Sequence, residues 1–319
     1  MKCVKCNSEI TSDAQFCPYC GTKQNDVIVE TEQIKKDVLS SEAKIANEKK
    51  SSPSKGNSGS PKKWVWIICA LLGLGCLVGW YVINAQKGKS FKVNGVSFNM
   101  VRVEGGTFNM GATTEQGDDA SNREKPVQTV ILNTYYIGEV EVTQELWQAV
   151  MGNNPSAFNG SQRPVENVSW NDCQDFIVKL NSLTGSNFRM PTEAEWEFAA
   201  RGGNNRDYNK YSGSNTIVDD VAWHSGNSNN ETHDVAQKSP NGLGLYDMSG
   251  NVLEWCQDWY DNYSSDSKMN PTGPSSGSGR VVRGGCWCFD SWSSRVSWRY
   301  FVLPNSRGNN CGFRLALDK

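Results

Sequence analysis

Short strands, capped helices and a loop-rich remainder, a pattern compatible with an α+β fold, are read from three observations on the chain that follows a small cysteine module, a linker and one membrane-spanning helix. Apolar residues alternate through Phe91-Lys-Val-Asn-Gly-Val-Ser-Phe-Asn-Met-Val-Arg-Val103, the period of short, half-buried strands. Three later stretches place a threonine or serine ahead of an apolar stripe, the pattern of capped helices. After Ala200 the chain turns to glycine, polar turn formers and aromatics, which read as loops and short strands. With 319 residues there is room for a sizeable core and more than one domain. The net charge of −2 argues against a nucleic-acid partner.

The N-terminal module spans residues 1–23. Cys3, Cys6, Cys17 and Cys20 form two Cys-x-x-Cys knuckles, the four thiolates that zinc takes at a closed structural site. So short a segment has too little apolar side chain to fold without the metal. Residues 24–63 are a flexible linker of Lys, Glu, Ser and Asn. Residues 64–83 contain no charged side chain, long enough to cross a bilayer core of roughly 30 Å. Trp64, Trp66, Trp80 and Tyr81 stand near its ends, where interfacial aromatics belong. Five lysines (Lys49, Lys50, Lys55, Lys62 and Lys63) precede the span, and three (Lys87, Lys89 and Lys92) follow it. That asymmetry, and thiolates suited to a reducing compartment, put the N-terminus in the cytoplasm. Residues 90–319 are then an extracytoplasmic domain, periplasmic in a bacterium with two membranes.

Within this domain Thr143 caps a short helix carrying Leu146, Trp147 and Val150. Ser169 and Asp172 form a capping box for a longer helix. Its buried stripe is Trp170, Cys173, Phe176, Ile177, Leu180 and Leu183, and Gly185 stops it. Thr192 and Glu195 form a second box, with Trp196, Phe198 and Ala199 inward. Residues 240–260 then set Asn241, Asp247, Asn251, Glu254 and Asp258 among glycines and aromatics. Such oxygens on bendable backbone either wrap a hard cation such as calcium or cap the turns of a packed segment. His224 and His233 lie too far apart in a loop to suggest an iron site. Cys286 and Cys288 share one face if they continue a strand. They could bind a soft metal or exchange disulfides; equally, one could be a buried thiol and the other bonded, for instance to Cys311.

Asn241-Gly-Leu-Gly-Leu-Tyr-Asp-Met-Ser-Gly-Asn-Val-Leu-Glu-Trp255 resembles the signature of the formylglycine-generating enzyme, or sulfatase-modifying factor, family. Further family-like pieces keep the expected order over residues 98–317. They include Glu104-Gly-Gly-Thr-Phe108, Arg189-Met-Pro-Thr-Glu-Ala-Glu-Trp-Glu197, Arg283-Gly-Gly285 and Gly312-Phe-Arg314. The resemblance implies a C-type-lectin-like α+β fold. It implies a calcium ion held by Asp247, Gly250, Val252 and Glu254. It also implies a copper(I) pair of cysteines shortly after Arg283-Gly-Gly285, one forming a mixed disulfide with substrate. Cys288 stands close to the first of these; the second falls near Ser291 or Trp292, which cannot replace a thiolate. Cys286 stands where the family usually has serine, and Leu253 where it usually has tryptophan.

The expected function is therefore a calcium-stabilised binding or assembly module that engages another protein or peptide outside the cytoplasm. The alternative is a copper- and thiol-dependent oxidase that converts a cysteine of sulfatase-type substrates to formylglycine, with Cys288 and Cys286 as its catalytic thiols. The topology has a direct check. A reporter active only outside the cytoplasm should work when fused after Lys319 and fail after Ser60; the opposite pattern would reverse the orientation.

Overall fold

Asn94 and Gly95 take left-handed φ angles of 46° and 92°, the geometry of a two-residue hairpin turn. They join β1 (Lys89–Val93) to β2 (Val96–Val103), so the alternating stretch becomes one antiparallel hairpin. The computed structural model describes residues 88–205 and 209–319, all within one compact unit. The expected zinc module, linker and membrane span lie outside the described residues. Among the described residues no helix is long and apolar enough to cross a membrane.

Three sheets form the scaffold. The first is antiparallel throughout, in the order β1-β2-β5-β12-β6. Here β5 is Tyr135–Gly138, β6 Phe188–Arg189 and β12 Ala316–Asp318, so a late strand is inserted between two early ones. The second sheet has the order β10-β9-β7-β11, with β7 Leu253–Trp259, β9 Arg280–Arg283, β10 Arg299–Val302 and β11 Cys311–Gly312. The third joins β3 (Gly106–Met110), β4 (Gln128–Leu132) and β8 (Lys268–Met269).

Among the described residues three α-helices start where their caps require. In α1 (Gln144–Met151) the Thr143 side chain accepts from the Leu146 amide. In α2 (Trp170–Thr184) Ser169 and Asp172 form the expected box, and Gly185 ends the helix at a left-handed φ of 67°. Cys173, Phe176, Ile177 and Leu180 are buried as expected; Trp170 is only half-buried, at the helix start, and Leu183 is instead 48% exposed. It lies in the terminal turn, beyond the last buried residue of the stripe. Trp147 of α1 stacks on Phe176 of α2 at 5.1 Å, and Phe313 meets both edge-on.

Every residue of α3 (Glu193–Ala200) is buried, including three glutamates. Their charges are met by arginines both far along the chain and close by. Glu193 accepts two hydrogen bonds from Arg299 at 2.6 and 2.7 Å. Glu197 pairs with Arg283 and Arg201, while Glu195 closes its own cap and pairs with Arg189. Two more buried pairs, Arg295–Glu124 and Arg314–Glu254, complete the set. The sequence reading gave Glu195 a capping role, gave Glu193 and Glu197 none, and did not foresee the arginine partners.

Candidate functional site

Residues 240–252 coil rather than run straight, because Asp247, Gly250 and Asn251 adopt φ angles of 56°, 83° and 59°. At Gly250 a side chain is excluded: a Cβ would sit 2.3 Å from the Trp223 carbonyl oxygen. The coil brings Asp247 and Glu254 into one interior with Glu141 and Arg314. Glu254 accepts from Arg314 at 2.6 Å through each oxygen and from the Trp196 indole at 2.6 Å. Glu141 accepts from Asn251 and from the Val252 amide. Asp247 accepts from the Ala236 amide through Oδ2, but its buried Oδ1 has no partner.

Burial, with the charges of Asp247 and Glu254, pushes Glu141 well above the usual carboxylate range. Burial raises Asp247 to about 6. Three buried carboxyls thus face one guanidinium. The unpartnered Asp247 oxygen is the one carboxyl oxygen of this interior left open to a further ligand, and hard cations take such oxygens. Asp247 and Glu254 are brought together as the resemblance implies, although Glu254 is already engaged by Arg314. Asn241 instead braces α3 through the Ala199 carbonyl, and Asp258 faces a different cleft. Among the described residues no group of three or more His, Cys, Asp or Glu side chains is arranged to hold a metal. The expected calcium set would draw half its ligands from backbone carbonyls.

The two late cysteines do not continue a strand. Gly284 and Gly285, at φ 94° and 73°, end β9, and the chain turns so that the Phe289 amide reaches the Cys286 carbonyl at 3.1 Å. The turn brings the two sulfurs to 3.3 Å, without a bond between them. The Asn310 amide points at both, 3.7 Å from Cys286 and 3.5 Å from Cys288. Cys286 is fully buried, and Cys288 opens onto a cleft of about 520 Å³. The cleft is lined by Arg123, Phe289, Trp292, Trp298 and Tyr300, of which Trp292 is 47% exposed. The hydrogen bond from Cys286, supported by Asn310, lowers the Cys288 thiol to about 7, while burial drives Cys286 upward. Cys173, Cys256 and Cys311 are also unbonded and buried, so the suggested Cys311 disulfide does not form. Ser291 and Trp292, where a second copper thiolate was sought, lie in a 3-10 turn and supply none. The histidines stay apart in role: His224 bonds Asp219, and His233 stacks on Trp223 at 3.7 Å.

Residues 88–319 match the sulfatase-modifying factor enzyme 1-like domain, and residues 2–24 match a zinc-ribbon domain. The chain is 33% identical over 274 residues to the chaperone protein LppX of Paenibacillus barcinonensis, covering 70% of this chain and 91% of that one. It is 29% identical over 287 residues to the formylglycine-generating enzyme of Streptomyces coelicolor, covering 68% and 88%. Among solved structures it resembles Treponema denticola variable protein 1, with 37% identity, a TM-score of 0.66, and coverage of 73% of this chain and 99% of that one. PvdO from Pseudomonas aeruginosa is similar at 26% identity and a TM-score of 0.63, with the same coverage.

A second cleft, of about 480 Å³, is lined by Asp258, Glu193, Tyr263 and Arg299 among others. Burial and the neighbouring Glu193 charge lift Asp258 to about 8, so it is largely protonated near neutrality. An unfolded aspartate releases its proton near pH 3.9. Between these two values the native state holds a proton that the unfolded chain does not, so stability falls as pH rises and levels off above about 8. Asp258→Asn should flatten this decline between about pH 6 and 8 in denaturant titrations. Equal slopes in the two proteins would mean that Asp258 carries no such proton.

Proposed function

The chain belongs to the sulfatase-modifying factor enzyme 1-like family, and on that premise we propose that its outer domain is a protein-binding or assembly module. The observation that carries this reading is Trp292. It stands where a second copper thiolate was sought, half exposed on the cleft beside Cys288. The family's copper arrangement therefore does not fit the residues present. What remains is a recognition surface. Phe289, Trp292, Trp298 and Tyr300 offer large, stiff apolar faces, and the Arg123 guanidinium lies over the Tyr300 ring at 4.6 Å. Such a cleft suits an extended segment of another protein bearing an apolar anchor and an acidic neighbour. The relative named as a chaperone supports a role in handling a protein partner.

In this reading the span at residues 64–83 anchors the domain outside the cytoplasm, and the zinc ribbon stays inside. The cleft can be probed with an immobilised peptide library presented to the full chain. Trp292→Ala with Tyr300→Ala should weaken the selected peptides by about tenfold or more, the scale of a lost aromatic hot spot. Unchanged binding would sink the cleft. Conversion of a Cys-x-Pro-x-Arg peptide to the aldehyde with copper(I) and oxygen, read by mass spectrometry, would replace the module by an oxidase.

Calcium supports the scaffold in the same reading. The side chains of Asp247 and Glu254 and the carbonyls of Gly250 and Val252 would hold it, giving the unpartnered Asp247 oxygen a ligand. An ion bound only by the native state stabilises by roughly 2.7 kcal/mol at a hundredfold excess over its dissociation constant. Asp247→Asn tests this more cleanly than a change at Glu254, which would also strip Arg314 of its partner. Elemental analysis of the purified chain should find one zinc and one calcium. Cys17→Ser should lower only the zinc, and Asp247→Asn only the calcium. A wild-type chain lacking either metal would overturn that assignment.

A further inference from the structure

We propose that Cys286 and Cys288 are a redox-active dithiol that exchanges with disulfides entering the aromatic cleft. The pair is placed by backbone, not by chance contact of flexible side chains. Gly284 and Gly285 turn the chain sharply at the end of β9. Trp287, between the cysteines, is pinned at both ends: its amide bonds the Asn251 carbonyl at 2.8 Å, and its indole bonds the Asn309 carbonyl at 3.0 Å. Its ring also meets Phe158 edge-on at 5.3 Å. With Trp287 fixed, the flanking sulfurs are left facing each other at 3.3 Å. Only a small approach separates this contact from a bond of about 2.05 Å.

The two thiols are unequal in the way exchange requires. Cys288 is reachable from the cleft, whereas Cys286 is fully buried behind it. An incoming disulfide therefore meets Cys288 first, and Cys286 is held back for the second step. The lowered Cys288 thiol supplies thiolate near neutral pH, and the Asn310 amide stabilises negative charge on either sulfur.

The chemistry balances with the disulfide itself as oxidant. The Cys288 thiolate attacks one sulfur of R–S–S–R′; that bond breaks, and R′S⁻ leaves and takes up a proton. Cys286 then gives up its proton, and its sulfur attacks Cys288 Sγ. The mixed disulfide breaks, and RS⁻ leaves and is protonated. One disulfide is reduced to two thiols, and one Cys286–Cys288 disulfide is formed. Run in reverse, the oxidised pair passes its disulfide to a dithiol. The substrate class is a protein or small-molecule disulfide whose flank can rest on the aromatic wall. The inference shares the cleft with the binding reading but needs no docked protein, because a small disulfide can reach Cys288 alone.

The test uses the reduced full-length chain, glutathione disulfide and a copper(I)-selective chelator, with peptide mapping by mass spectrometry. Wild type should lose two hydrogens from the peptide carrying both cysteines and retain no glutathione. Cys286→Ser should trap glutathione on Cys288, and Cys288→Ser should leave Cys286 unlabelled. In wild type, the pair should react at least about tenfold faster than Cys173, Cys256 or Cys311. Asn310→Leu should move the pH profile of Cys288 labelling upward. A stable glutathione adduct on wild type, or equal labelling of Cys286 and Cys288 in the two serine variants, would overturn the proposal. So would a wild-type rate no faster than that of the buried cysteines, a measurement that needs no variant to fold. A wild-type chain that captures no peptide yet exchanges with glutathione disulfide would fault only the binding reading.

Discussion

Four almost fully buried guanidiniums set the conditions under which this domain exists. Arg283, Arg295, Arg299 and Arg314 all lie in its last part, and each is matched to a glutamate elsewhere: Glu197, Glu124, Glu193 and Glu254. Removing one partner from such a pair costs about 3–5 kcal/mol, because the survivor is left charged and unpaired. The carboxylates are only part of what each arginine holds. Arg314 also donates to the Gly138 and Tyr246 carbonyls, Arg299 to Asp261, Arg295 to Asp119, and Arg283 to Ser297 and Trp298. Those carbonyls belong largely to irregular backbone, which has few helix or ladder bonds to use them. The arginines therefore do for the loops what hydrogen-bonded ladders do for the strands.

The same clamps explain why recognition surface and thiol turn sit where they do. Arg295 fastens the turn around Trp292 to Glu124, and its Nε bonds the Trp292 carbonyl. Arg299 runs from Glu193 to the backbone at Arg123, another wall of the aromatic cleft. None of these bonds involves a cysteine. A cleft built this way keeps its shape whatever chemistry its thiols perform, so a change at the second copper position need not disturb it.

What could be read from sequence follows the range of the interactions. The caps at Thr143, Ser169 and Thr192 join residues three apart, and each stands where it was expected. The apolar stripe of α2 was legible as far as Leu180, but Leu183 was not, because the period says nothing about where the covering core stops. The strand expected through Cys286 and Cys288 ends at Gly284 and Gly285, whose left-handed angles no strand pattern of the flanking residues encodes. The long-range arginine partners were illegible for the opposite reason: Arg295 and Glu124, for example, are far apart in the chain, and no spacing rule connects them. The sequence placed Asp247 and Glu254 together through resemblance, but it gave no sign that Glu141 and Arg314 would share their interior.

The insertion of β12 between β5 and β6 has a consequence for how the domain is made. Residues 135–138, all buried in the finished sheet, pair with β2 early but gain their other neighbour only from residues 316–318. Nearly the whole domain must loop back before that pairing forms, and contacts of such separation are slow to close. Meanwhile Tyr135, Tyr136 and Ile137 present an apolar, unpaired edge, a template for pairing with a neighbouring chain. A nascent or truncated domain is thus at risk of self-association through this one ribbon, and the last strand to arrive is the one that covers it.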